Sequence, residues 1–227
     1  MNTRLLISTL SASAFLAAAC SFAVAGETID PGNFGGVIDN PWLPLTPGTV
    51  LTYEGNKDDK PGTLVVTVSN KTKTVAGVGC VVVEELVTLA GVPVDRTSGY
   101  YAQDRNGNVW HFGEDVQELN AKGEVTKTEG WHAGLDGAAP GLVMESKPAK
   151  GHTLVNPYTN DHSEVVSLAK AVKTPMGPYK NAVMTKEWTP DEPDVLTNKY
   201  YVRDIGMVRE VAVSGDTEEF LLVNVKH

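Results

Sequence analysis

The chain repeats its own punctuation at an offset of roughly 100 residues, and this limits its fold more than any other feature. Val65-Val66-Thr67-Val68 answers to Val165-Val166-Ser167-Leu168, Thr74 to Thr174 and Gly77 to Gly177. After a slip of two, Val81 falls opposite Val183 and Glu85 opposite Glu187. Tyr100-Tyr101 then returns to register against Tyr200-Tyr201, with Asp104 opposite Asp204, and Gly107 and Val109 meet Gly206 and Val208. Agreement in one order over most of both halves reads as a duplication, with repeats at 48–128 and 151–225 and a non-repeated insert at 129–150. Halves this short bury too little surface for two independent cores, so the reading is one domain sharing one core.

Within each half the apolar runs are short, rich in Val and Thr, and bounded by Gly, Pro, Asn and Asp, as in Gly62 to Val68, Cys80 to Thr88 and Asn108 to Phe112. That pattern predicts strands and hairpins. No stretch past the N-terminal leader sustains a helical period. The expected fold is therefore all-β, an antiparallel barrel or curved sandwich that closes or bends to manage its edges. Asp104-Arg105-Asn106-Gly107 and its counterpart Asp204-Ile205-Gly206 predict hairpin turns, since Asn-Gly tolerates positive φ. A calcium loop would place its glycine later and supply more oxygen ligands.

Residues 1–25 combine Arg4, an apolar run and the triplet Ala23-Val24-Ala25, the pattern of a secretory signal peptide, which leaves 26–227 as the mature chain. Serines and threonines interrupt the run and no basic stop-transfer cluster follows, so no transmembrane helix is expected in the mature chain. Cys20, after Leu16-Ala17-Ala18-Ala19, marks an alternative cleavage point that would leave a lipid anchor. The localisation read from this is periplasmic or extracellular, with a lipoprotein as the less favoured form. The mature chain keeps one thiol, Cys80, which reads as a small core residue in a strand. Loss of the leader removes Arg4 and no acid, so 18 basic residues face 28 acidic ones. Such a surface argues against nucleic acid and anionic membranes as partners.

The insert "EGWHAGLDGAAPGLVMESKPAK" interrupts the symmetry, and loops are where function is grafted onto a rigid scaffold. It supplies Trp131, His132 and Asp136, which with Trp110 and Tyr101 form the candidate ligand-binding set. The candidate metal set is His111, His132 and His162, although no H-x-H or H-E-x-x-H spacing is present. No G-x-S-x-G elbow, P-loop or G-x-G-x-x-G after a strand is present, so no catalytic residue or cofactor is assigned. The acid pairs Glu84-Glu85, Glu114-Asp115 and Glu218-Glu219 point to opposite faces of their strands and read mostly as solvated surface.

Asn40-Pro41-Trp42-Leu43-Pro44-Leu45 before Pro47-Gly48-Thr49, together with Tyr101-Ala102-Gln103-Asp104, Gly107-Asn108-Val109-Trp110 and Phe112-Gly113-Glu114, resembles a family of secreted or lipid-anchored bacterial β-rich proteins. The likeness extends through Trp131-x-Ala133-Gly134-x-Asp136-Gly137-Ala138 and Thr185-Lys186-Glu187, and so covers nearly the whole mature chain. It brings no activity with it. The family pattern carries Glu after the insert's Trp, where this chain has His132, which weakens a fixed catalytic role for that position.

These features favour an exported protein that binds a small apolar or amphipathic ligand in a β-barrel-like cavity. The alternatives are a metal-binding protein or metal-dependent enzyme using the scattered His and Asp residues, and an envelope interaction module without a small ligand. The absence of a reaction motif favours binding over catalysis.

Overall fold

The computed structural model describes residues 29–227; the leader, its cleavage point and Cys20 lie outside the described residues. Thirteen strands follow one 3-10 turn at Pro31–Asn33. The first seven are β1 (Val50–Lys57), β2 (Lys60–Val75), β3 (Val78–Leu89), β4 (Val92–Gln103), β5 (Val109–Leu119), β6 (Val125–His132) and β7 (Gly141–Met144). The rest are β8 (Thr153–Val155), β9 (His162–Thr174), β10 (Gly177–Trp188), β11 (Leu196–Val202), β12 (Gly206–Ser214) and β13 (Glu218–Lys226).

All belong to one antiparallel sheet in the order β6-β5-β4-β3-β2-β1-β13-β12-β11-β10-β9-β8, with β7 also paired to β5. The all-β antiparallel expectation holds. The chain climbs one run of six strands, returns to the far end of the sheet and climbs a second run in the same order. The runs meet where β1 pairs with β13, from Val50 opposite Lys226 to Lys57 opposite Glu218. The hydrogen-bond ladder is not closed: β6 and β8 are its two ends.

Alternation along the strands divides the core in two. The larger cluster draws on both runs and includes Tyr53, Leu64, Val83, Tyr101, Val183, Tyr201, Val208, Phe220 and Leu222. A smaller one, drawn from the first run and the insert, holds Val75, Val78, Cys80, Tyr100, Phe112, Trp131, Ala133 and Ala138. Tyr100 and Tyr101 thus serve opposite faces, while Tyr200 and Tyr201 both contribute to the larger cluster. The same alternation corrects the reading of the acid pairs as mostly solvated. Glu85, Glu114 and Glu218 are buried, because one member of each pair must face inward.

The turn from β4 to β5 is a hairpin built on Asp104, whose carboxylate accepts from Asn106 N (2.8 Å), Asn108 N (2.9 Å) and the Trp110 indole (3.0 Å). Burial alone would raise the Asp104 carboxyl, but these bonds to its charged form outweigh that and lower it. Gly107 takes a φ of 82° at the corner. Asn40 holds this hairpin from outside. Its backbone N–H donates to the Gln103 side chain (2.8 Å) and its amide to Gly107 O (2.7 Å), while its own oxygen accepts from Trp42 N and Leu43 N. The next residue reaches the matching turn of the second run, where Asp204 N donates to Pro41 O at 2.7 Å. Asn40-Pro41 is therefore a clasp across two corresponding hairpins.

Candidate functional site

Both β6 and β7 pair with β5, β6 along Gly113–Leu119 and β7 along Val109–His111. They run in the same direction along one edge of β5, and the segment 133–140 loops out between them. Ala138 N donates to Leu135 O (2.8 Å), with Asp136 at φ 50° and Gly137 at φ 80°, the Asp-Gly geometry of a tight turn. Gly113 and Gly130 on the facing strands let β5 and β6 approach closely. A Cβ on Gly113 would overlap Trp131 O, and one on Gly130 would overlap Glu114 O. The insert therefore begins inside a strand, and Trp131 and His132 project from rigid β6 backbone.

From the other end of the sheet comes Tyr158, in the turn between β8 and β9. Asn156 sets that turn by accepting from Tyr158 N (3.0 Å) and Thr159 N (3.2 Å). Gly141 packs against Asn156, and the Trp131 and Tyr158 rings stack with centroids 5.2 Å apart at 30°. Side chains thus close the seam that the hydrogen-bond ladder leaves open.

At this seam lies a cleft of about 440 Å³. Its apolar walls are Trp131, Leu135 and Tyr158; its polar groups are Asp115, Thr128, Glu129, His132 and Asp136. The volume falls within the range of small-ligand pockets. The Trp131 indole N–H is buried and meets no acceptor among the described residues, a state that costs roughly 1–3 kcal/mol.

Four ionisable side chains from four strands meet at the cleft edge. Lys73 Nζ lies 3.0 Å from Tyr100 OH, 3.1 Å from Asp115 Oδ2 and 3.3 Å from His132 Nε2, and 4.1 Å above the Tyr100 ring. Tyr100 OH donates to Asp115 Oδ2 in a short hydrogen bond, and His132 Nε2 sits 3.0 Å from Asp115 Oδ1. Burial acts to raise the Asp115 carboxyl, but the Tyr100 and Lys73 hydrogen bonds prevail and lower it. For Lys73 burial acts downward and the same bonds, to Tyr100 and Asp115, raise it. Tyr100 is raised by burial and by its bond to Asp115. The cluster therefore presents an ammonium, a carboxylate and a neutral phenol near neutral pH, a binding surface rather than a set of poised bases. Cys80 offers no nucleophile either: it is fully buried, and burial pushes its thiol up to about 12.

Of the residues singled out by sequence, Trp131, His132 and Asp136 line the cleft together. Trp110 does not; it serves the Asp104 hairpin and packs edge-on to Phe34. Tyr101 is in the core, stacked on His111 at 4.7 Å. The three candidate metal histidines are spread out. His111 is fully buried, His162 stacks on Trp188 at 5.1 Å, and only His132 reaches the cleft. Among the described residues no group of three or more His, Cys, Asp or Glu side chains could hold a metal ion. Lys73 and Tyr158 went unnoticed in the sequence, and Asp115 stood out only as one of an acid pair read as solvated surface. Lys73 lies 42 positions from Asp115 and 59 from His132, and only the pairing of β2 through β6 brings them together.

No family model matches the chain, and no curated protein matches it. Among solved structures, the chain is similar to a "putative lipoprotein" from Parabacteroides distasonis ATCC 8503, with 12% identity and a TM-score of 0.45 over 83% of this chain and all of that one. At that score and identity the likeness is too loose to carry a function. Among the described residues no helix is long and apolar enough to cross a membrane.

Proposed function

We propose that this is an exported envelope or extracellular protein that binds a small amphipathic ligand in the seam cleft. The observation that carries this reading is the stacked Trp131–Tyr158 pair, contributed by opposite ends of the sheet and set in a concavity beside the Lys73–Tyr100–Asp115–His132 cluster. An apolar wall next to a few fixed polar groups is what small-molecule sites consist of. Export rests on the leader at 1–25, with Gly26 as the expected mature N-terminus and a lipid-modified Cys20 as the alternative. The scaffold we infer to be a duplication, supported by the matched order of the two six-strand runs and by the clasp across their corresponding hairpins.

Native mass spectrometry of protein purified from the periplasm tests this reading. The expected result is a non-covalently bound small molecule that Tyr158→Ala releases without unfolding the protein. A ligand retained in full by Tyr158→Ala would place binding elsewhere and overturn it. Intact mass of the same sample separates a chain starting at Gly26 from a lipidated Cys20, and metal analysis tests the metal-dependent alternative.

A further inference from the structure

The charges around the cleft select among ligands. No Lys or Arg lines it, whereas Asp115, Glu129 and Asp136 do. Lys73 answers Asp115, and Lys127 forms a close ion pair with Glu129. Among the described residues Asp136 has no hydrogen-bond or ion-pair partner, so none of them compensates its charge. The turn does not dictate that charge, because Asn accepts the left-handed conformation as readily as Asp. The same cleft has aromatic walls in Trp131 and in Tyr158, which is 44% exposed. An aromatic face beside a carboxylate is an arrangement that attracts organic cations. The net charge of -9 adds a long-range field of the same sign.

Building on the seam-cleft reading, we propose that the ligand is a small organic cation: an ammonium or quaternary ammonium group on an apolar body. The cation faces Asp136, and the apolar body lies against Tyr158 and the exposed rim of Trp131. Lys73, bonded to Asp115 and beside His132, does not itself line the cleft.

A matched series tests the ligand class: N,N,N-trimethylphenylalanine methyl ester (cation), N-acetylphenylalanine methyl ester (neutral) and N-acetylphenylalanine (anion). Each is titrated into the protein at low salt, with the Trp131 indole N–H followed by NMR and affinity by calorimetry. The cation is expected to bind about five-fold more tightly than the neutral ester, the scale of one solvent-exposed charge pair, and the anion most weakly. Asp136→Asn should abolish the five-fold difference. Salt should shrink the difference in the parent protein. Equal affinity for cation and neutral ester, or tightest binding of the anion, would overturn the cation proposal while leaving the cleft as a binding site. Binding of none of the three, with no shift of the Trp131 resonance, would overturn both.

Discussion

Trp131 and Tyr158 stack at 5.2 Å although one ends β6 and the other follows β8, the two outermost strands of the sheet. The pair fastens the seam and forms the cleft wall, but its members bear different loads. Trp131 is packed in the smaller core cluster, whereas Tyr158 is 44% exposed. Trp131→Ala should cost about 3–5 kcal/mol and lower the melting temperature markedly. Tyr158→Ala should cost under about 1 kcal/mol, in the range of surface substitutions. Paired denaturation curves decide this, and a Tyr158→Ala loss as large as that of Trp131→Ala would mean that the stack itself supports the fold.

Asn40 is 1% exposed and satisfies groups in the hairpin and in its own turn. Asn40→Ala should therefore leave Gly107 O, Trp42 N and Leu43 N short of a partner and destabilise the protein by roughly 1–3 kcal/mol. Hydrogen exchange should show faster opening at the β4–β5 and β11–β12 turns, both of which the clasp touches. Faster exchange confined to the first would show that Pro41 holds the second alone.

Glu210 lies inside the larger core among Lys199, Glu218, Glu187 and Lys57, and burial pushes its carboxyl from 4.5 up to about 8, with Lys199 opposing. The folded state therefore keeps a proton that the unfolded chain releases. Stability is fully present below 4.5, declines as pH rises, and has lost this contribution above about 8. Each pH unit in that window changes the folding equilibrium by up to about tenfold. Melting of Glu210→Gln across the same range should lack this decline; a parallel decline in both proteins would assign it to other groups.

His111 acts in the opposite sense. Burial lowers it from 6.5 to about 3, against a raising hydrogen bond to the Gly113 backbone, so the folded state holds it neutral while the unfolded chain protonates. Its contribution is present above 6.5 and is lost as pH falls toward 3. Between about 4.5 and 6.5 the His111 and Glu210 contributions therefore change with pH in opposite directions. His111→Gln should flatten the acid side of that profile and leave the alkaline side unchanged, as urea denaturation at stepped pH would record.

Strand periodicity and turn residues made the antiparallel fold and the Asp104 hairpin legible, because both depend on neighbours close in sequence. Trp131, His132 and Asp136 were legible as a group for a related reason: a segment that interrupts a repeated pattern is visible without knowing the fold. Lys73 and Tyr158 were not, since each reaches the cleft only through strand pairing across the sheet or closure of its seam. Trp110 and Tyr101 misled because an aromatic residue in a strand looks alike in a core and in a pocket. The acid pairs misled similarly. Alternation guaranteed that one member of each would turn inward, but only a formed interior provides partners such as Lys57 Nζ, 2.7 Å from Glu218.

The junction of β1 with β13 sets an order of events in time. The two runs of strands are hydrogen-bonded to each other there, so a sheet that begins at Val50 is finished only when Glu218–Lys226 arrives. Contacts separated by nearly the whole chain are slow to form. A growing chain thus remains incomplete until its last strand is available, and the final nine residues of the sheet act as the stitch that commits the molecule to its native state.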